Sequence, residues 1–169
     1  MLFRSFRPLV RSALLTGARY GELVRRRVAD FDRTQGVLRI PDGKTGARDV
    51  VLSDAAAAHF TELSKGKKVN ELLHLTSAKG EWGSSDQVRR MHAAVVSANK
   101  KTRARANKLP ADTVFYSLRH THVSMALLGG VNAQVLAENL GTSIRMIELH
   151  YGKFLAADRR AMFNALVLP

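Results

Sequence analysis

At 169 residues with 46% hydrophobic side chains, the chain is long enough to bury a core and too apolar for a disordered tail, and it has room for one domain or at most two small ones. The absence of cysteine excludes a disulfide framework and a thiolate metal site, and fits a reducing compartment. The 27 lysines and arginines against 14 acidic residues leave a net charge of +13, which points to a polyanionic partner, nucleic acid before a membrane surface.

Residues 5–15 read as a helix with Phe6, Leu9, Val10 and Leu14 on one side. No apolar run reaches the roughly 20 residues of a membrane span, and the basic, apolar start lacks the continuous stretch and cleavage site of a secretion signal. After the Thr16-Gly17 break a second helix is expected over 19–28, with Tyr20, Leu23 and Val24 inward. Arg25, Arg26 and Arg27 are consecutive, so at least one must face solvent. Residues 30–35 are polar and end at Gly36, a turn signal. Strands are expected at 37–40 and 49–52. The Pro-Asp-Gly-Lys-Thr-Gly segment between them has turn chemistry and places Lys44 near the tip of an antiparallel ribbon.

Ser53 or Asp54 can cap a helix over 55–63. A short strand is expected at 72–75, and Ser84 or Ser85 opens a helix over 86–101. From Gln87 to Ala111 there are seven basic residues and no acidic one. The run over 100–108 reads as a solvated, DNA-facing or mobile connector rather than a reading head. Helices follow over 115–128, stopped by Gly129-Gly130, over 133–140, capped by Asn132, and from Thr142 or Ser143 through Tyr151. A last amphipathic helix is expected over 156–166, with Leu155, Met162, Phe163, Leu166 and Val167 on its apolar face. The fold class is therefore α+β, mostly helical, with one small antiparallel sheet.

Cleaving a phosphodiester without a metal takes cationic donors on the non-bridging oxygens, an in-line nucleophile and a proton for the leaving oxygen. Arginine suits the first task through its planar fork. Lysine suits the last, and tyrosine makes a reversible covalent nucleophile. Arg19, Lys44, Arg119 and Tyr151 are the candidates, with Glu22, Tyr116, His120, His122, Thr142 and His150 as possible supports. Spacing alone does not bring the four together. Tyr151 shares a helical stripe with Ile144 and Ile147, as a core tyrosine would, and Tyr20 and Tyr116 are rival nucleophiles. His120 and His122 are two apart and must face different ways; His120 is expected to pack against the core. A helix-turn-helix over 132–151 is possible in outline, but its second helix is poor in polar side chains for reading base edges.

Four segments carry a resemblance. ALLTGARYGEL (13–23) resembles the first arginine box of the tyrosine recombinases, the phage integrase family, with Arg19 on its arginine and Glu22 on its supporting acid. LRIPDGKTGARDVVLS (38–53) is similar to the family's β hairpin, with Lys44 on the catalytic lysine. YSLRHTHVSMALLGGV (116–131) resembles the second arginine box, with Arg119 on its arginine. LGTSIRMIELHY (140–151) resembles the nucleophile box, with Tyr151 on the tyrosine. Tyr116 and Thr142 depart from the pattern, standing where the family has histidine, and histidine or tryptophan.

The resemblance implies a catalytic domain over 1–169 that works on double-stranded DNA in the cytoplasm, as a homotetramer on DNA, with no cofactor, metal or membrane. The family's N-terminal DNA-binding domain has no counterpart in the chain. Alternatives are a non-catalytic DNA-binding module on the same fold, or relaxation of supercoils as by a type IB topoisomerase.

Overall fold

The computed structural model describes residues 4–44 and 46–156. Its elements are helix α1 (Phe6–Thr16), a short α2 (Tyr20–Val24), a 3-10 turn at Val28–Asp30, strands β1 (Phe31–Asp32), β2 (Val37–Ile40) and β3 (Arg48–Val51), helices α3 (Asp54–Ser64) and α4 (Asp86–Lys101), a 3-10 turn at Arg105–Asn107, and helices α5 (Ser117–Leu128), α6 (Ala133–Leu140) and α7 (Ile144–Ala156). The mostly helical α+β class with one small antiparallel sheet is as expected. The helix expected over 156–166, and its apolar face, fall outside the described residues and side chains.

The inward face of α1 is rotated from the expected stripe. Phe6, Leu9, Ala13 and Thr16 are buried, whereas Leu14 is exposed. The rotation admits Ser12, whose hydroxyl lies 2.9 Å from His59 Nε2 and 3.1 Å from His74 Nε2. Burial pushes both imidazoles down, His74 to about 3, so the rings stay neutral and the cluster is a satisfied polar part of the core. α1 stops at Gly17, with φ +64°. A Cβ there would stand 2.5 Å from Leu140 Cδ2 and 2.6 Å from His122 Cδ2. Backbone conformation and lack of space both demand glycine, and the close approach brings the Gly17 carbonyl up to α5.

Helix α2 is five residues long and ends well before Val28, where it was expected to stop. Arg26 turns inward, donating to the carbonyls of Glu22 and Arg39 and to Asp42 Oδ1, while Arg25 and Arg27 are exposed. Beyond it the backbone pairs with the segment expected as a strand at 72–75. Leu73 donates to the Arg26 carbonyl at 2.8 Å and Val28 to the Glu71 carbonyl at 2.9 Å, and one bridge, Arg27 to Leu72, is all that forms. Helix hydrogen bonds give way to these tertiary ones.

The sheet has the order β1-β2-β3, antiparallel throughout, with Leu38 opposite both Phe31 and Val50. β1 lies in the segment read as a polar turn. Its Phe31 packs on Phe60 with ring centroids 5.8 Å apart. Leu38, Ile40 and Val50 are buried, and Val51 on the outer strand is exposed. Two hydrophobic clusters result. One joins α1–α4 and the sheet around Phe6, Leu23, Leu38 and Phe60. The other joins α5–α7 around Val123, Leu136, Leu140, Ile147 and Tyr151. α1 packs on α5 between them. The basic connector after α4 is exposed but anchored, since the Asn99 side chain makes two 2.8 Å hydrogen bonds to the Leu109 backbone. Among the described residues no helix is long and apolar enough to cross a membrane, and no group of histidines and acids could hold a metal ion.

Candidate active site

The seam between the clusters carries Arg119. It is 5% exposed. One terminal nitrogen donates to the Gly17 carbonyl at 2.7 Å and the other to the Leu140 carbonyl at 3.0 Å. Those carbonyls stand at the C-terminal ends of α1 and α6, where Gly17 itself and Gly141, just after Leu140, take the left-handed conformation that ends each helix. Two of the five guanidinium N–H groups are thereby spent on orientation, and Arg119 still lines the cleft beside it. Arg19 caps α2. Its backbone N–H donates to Glu22 Oε2 at 2.8 Å and its guanidinium to Glu22 Oε1 at 2.9 Å. Burial pushes the Glu22 carboxyl up, but hydrogen bonds from Arg48 and Arg19 outweigh it and hold the group at about 2.

Arg19, Arg119 and Tyr151 share a cleft of about 380 Å³ with Tyr116, His120, Val123, Thr142, Met146 and His150. Positions 116, 119, 120 and 123 form one face around the start of α5, at the i, i+3, i+4, i+7 spacing. Tyr151 presents its ring to the α5–α7 core, where it is mostly buried, and its hydroxyl to His120 Nδ1 at 2.5 Å. The expectation that His120 packs against the core is therefore wrong. Its ring is on the cleft face, and His122, about 200° further around the helix, turns inward to meet the Leu14 carbonyl at 2.9 Å and the Gly17 backbone. Tyr116 packs edge-on against His120, ring centroids 5.0 Å apart. His150 stands 6.3 Å from the Tyr151 ring.

Burial pushes the Tyr151 phenol up, and Tyr116 adds to this against the Arg119 cation. Burial, then His150 and Arg119, push the His120 imidazole down. Both shifts favour the uncharged forms, and in the tautomer with its proton on Nε2 the ring can accept the phenol O–H at Nδ1. A phenol with its acceptor in place and two guanidiniums nearby is suited to attack on an anionic phosphoryl centre. Tyr20 is removed as a rival. Its hydroxyl donates to the Gly83 carbonyl at 2.7 Å, and burial raises it to about 12.

Lys44 does not line this cleft. It stands exposed in the β2–β3 connection, whose base is held by Arg25 and Arg26 on Asp42, at 2.8 and 2.5 Å. Sequence reasoning missed Arg48, which meets Glu22 with both terminal nitrogens. No spacing rule singles it out, because its partner lies 26 residues away on another element.

The model of the phage integrase family matches residues 5–154. Comparison with curated protein sequences gave no match. Among solved structures the chain is similar to the Tn1549 transposon integrase (residues 82–397) in complex with circular intermediate DNA, with a TM-score of 0.79 at 19% identity over 98% of this chain and 61% of that one. It is similar to the catalytic domain of bacteriophage HP1 integrase, with a TM-score of 0.62 at 22% identity over 94% of this chain and 80% of that one. For the XerH site-specific recombinase bound to its difH substrate before cleavage, the TM-score is 0.63 at 18% identity over 96% and 46%. At these identities the likeness is one of fold, and the chain spans about three fifths of the 82–397 segment of the Tn1549 integrase.

Proposed function

The chain belongs to the phage integrase family, and from that premise we propose that it is the catalytic domain of a site-specific tyrosine recombinase that cuts and rejoins double-stranded DNA. The observation that carries the reading is the Tyr151 hydroxyl on His120 Nδ1, in a cleft shared with Arg19 and Arg119. Tyr151 attacks a backbone phosphorus. Its proton passes to His120, a Tyr–O–P bond forms, and the bond from phosphorus to the 5′ oxygen breaks. The product is a 3′-phosphotyrosyl strand and a free 5′ hydroxyl. Arg19 and Arg119 neutralise the charge that grows on the non-bridging oxygens. One phosphodiester is exchanged for another, so a 5′ hydroxyl from a second duplex reverses the step without a cofactor or metal.

Tyr116 and Thr142 stand where the family has better donors and bases. Here the base role falls to His120, and Tyr116 holds that ring edge-on. His150 and Thr142 flank the cleft, and His122 supports it from the core side. The whole of 1–169 acts as one catalytic unit, in the cytoplasm, and assembles on DNA as a tetramer.

The test is a nicked suicide duplex, from which the short 5′ strand diffuses away after cleavage. A covalent protein–DNA adduct should accumulate, and peptide mapping should place it on Tyr151. No adduct under any condition points to a non-catalytic DNA-binding module, and supercoil relaxation without recombinant product points to a topoisomerase.

Lys44, exposed in the β2–β3 connection and outside the cleft wall, is the proton donor to the leaving 5′ oxygen once DNA lies across the site. Lys44→Ala should cleave normal DNA about 10²–10⁴-fold more slowly, the usual span for a lost general acid. A substrate with sulfur at the 5′ bridging position should restore it, because a thiolate leaves unprotonated. If the sulfur substrate is cleaved equally slowly, Lys44 does not supply the proton.

A further inference from the structure

Glu22 is one carboxylate shared by two arginines. It is 3% exposed. Arg19 reaches it through a single guanidinium nitrogen and its backbone N–H. Arg48, its side chain 8% exposed, takes it as a fork, one terminal nitrogen on Oε1 at 3.0 Å and the other on Oε2 at 2.8 Å. Arg48 Nε donates onward to the Asn139 carbonyl at 3.2 Å. The Asn139 side chain in turn clamps the outer edge of β3, accepting from the Val51 N–H at 2.6 Å and donating to the Val51 carbonyl at 3.3 Å. The next residue, Leu140, offers the carbonyl that orients Arg119. Hydrogen bonds therefore tie the strand that returns from Lys44 to Arg19 through Glu22, and, across the Asn139–Leu140 peptide, to Arg119.

We propose that Arg48 is a positioning residue for the phosphate clamp: it occupies Glu22 as a fork so that Arg19 is held by one nitrogen and keeps donors for the phosphate, and through Asn139 it fixes the end of α6 that orients Arg119. The proposal rests on the reading that Arg19 and Arg119 bind the scissile phosphate. The logic is competition. A buried carboxylate needs a fork of donors. Without Arg48 the nearest fork is Arg19, which would turn fully onto Glu22 and leave the cleft. The alternative is that Glu22 takes up a proton, since Arg48 leads the contributions that hold its carboxyl down against burial. Either outcome loosens Arg19 from its working geometry without touching the nucleophile.

The experiment is single-turnover cleavage of the nicked suicide duplex at saturating DNA, followed against pH, for wild type, Arg48→Ala, Arg48→Lys and Arg48→Ala combined with Glu22→Gln. Arg48→Ala should cleave on the order of 10- to 100-fold more slowly, the usual cost of losing a group that orients a working ligand. The acid side of its pH profile should move to higher pH, because Glu22 now titrates in a higher range. Glu22→Gln in the Arg48→Ala background should restore part of the rate and abolish that movement, since a neutral amide no longer captures Arg19. Arg48→Lys keeps the charge without the fork and should fall between; if Arg48→Ala is too unstable to assay, Arg48→Lys with and without Glu22→Gln carries the same comparison. A purely structural arginine would lower the thermal midpoint with no movement of the pH profile and no rescue. That result, or cleavage within about threefold of wild type, overturns the proposal. A wild-type chain that forms no adduct removes the recombinase reading itself, and the proposal with it.

Discussion

Arg119→Ala should lose at least about 10²–10³-fold in the rate of adduct formation, the cost of removing one preorganised donor from a charged transition state, and it should also lose stability. The two losses have separate origins in one side chain. The guanidinium lines the cleft, but it is also the partner of the Gly17 and Leu140 carbonyls. Each carbonyl left without a partner costs about 1–3 kcal/mol where water cannot enter. Arg119→Lys separates them. An ammonium is a point charge and cannot bridge two carbonyls while still presenting a flat pair of donors to a phosphate. The lysine variant should therefore recover part of the thermal midpoint and little of the cleavage rate. Thermal unfolding and single-turnover cleavage on the same samples check this. If Arg119→Lys cleaves within about threefold of wild type, the forked geometry is irrelevant and Arg119 acts only as charge.

Local chemistry made much of the fold legible. The Asn132 side chain accepts from the N–H groups of Gln134 and Val135 and opens α6 where the sequence put it, and Ser53 opens α3 in the same way. The strand at Val37–Ile40 follows from its short, β-branched and apolar run between Gly36 and Pro41. What local chemistry cannot carry is a competition settled by distant partners. Helix α2 stops early because the backbone from Arg26 onward finds partners at Val69, Glu71 and Leu73. β1 exists because Phe31 has Phe60 to cover it. The rotation of α1 is set by two histidines 47 and 62 residues away from Ser12.

The site divides along the same line. The segments around Arg19, Arg119 and Tyr151 could be recognised by resemblance, and the fold brings those three to one cleft. The facing of His120 was not recoverable. On α5 alone, His120 and His122 are equivalent histidines on different sides, and only the packing of α1 against α5 decides which one turns inward. Arg48 was hidden for the same reason. A basic residue at the start of a surface strand has no mark of its own until Glu22 is placed opposite it.

His120→Ala should slow adduct formation about 10²–10⁴-fold near neutral pH, the range for a lost general base, and it should change the shape of the pH profile as well as its height. In the wild type the working form is neutral His120 beside protonated Tyr151. The base is disabled when it is protonated, so the rate falls as pH drops through the imidazole pKa. That pKa is depressed by burial, His150 and Arg119, which puts the acid limb below the ordinary histidine value of 6.5 and leaves the rate flat through neutrality. Without the imidazole, attack depends on the phenolate fraction of Tyr151. Its pKa is raised above the ordinary 10.0 by burial and Tyr116, so the His120→Ala rate should climb about tenfold per pH unit across the neutral range instead of levelling. Tyr116→Phe retains the edge-on ring and should stay close to wild type in both respects, whereas Tyr116→Ala frees the imidazole to rotate and should behave as a partial His120 variant. A wild-type profile that climbs with pH in the same way as His120→Ala would mean that the 2.5 Å contact orients Tyr151 without accepting its proton.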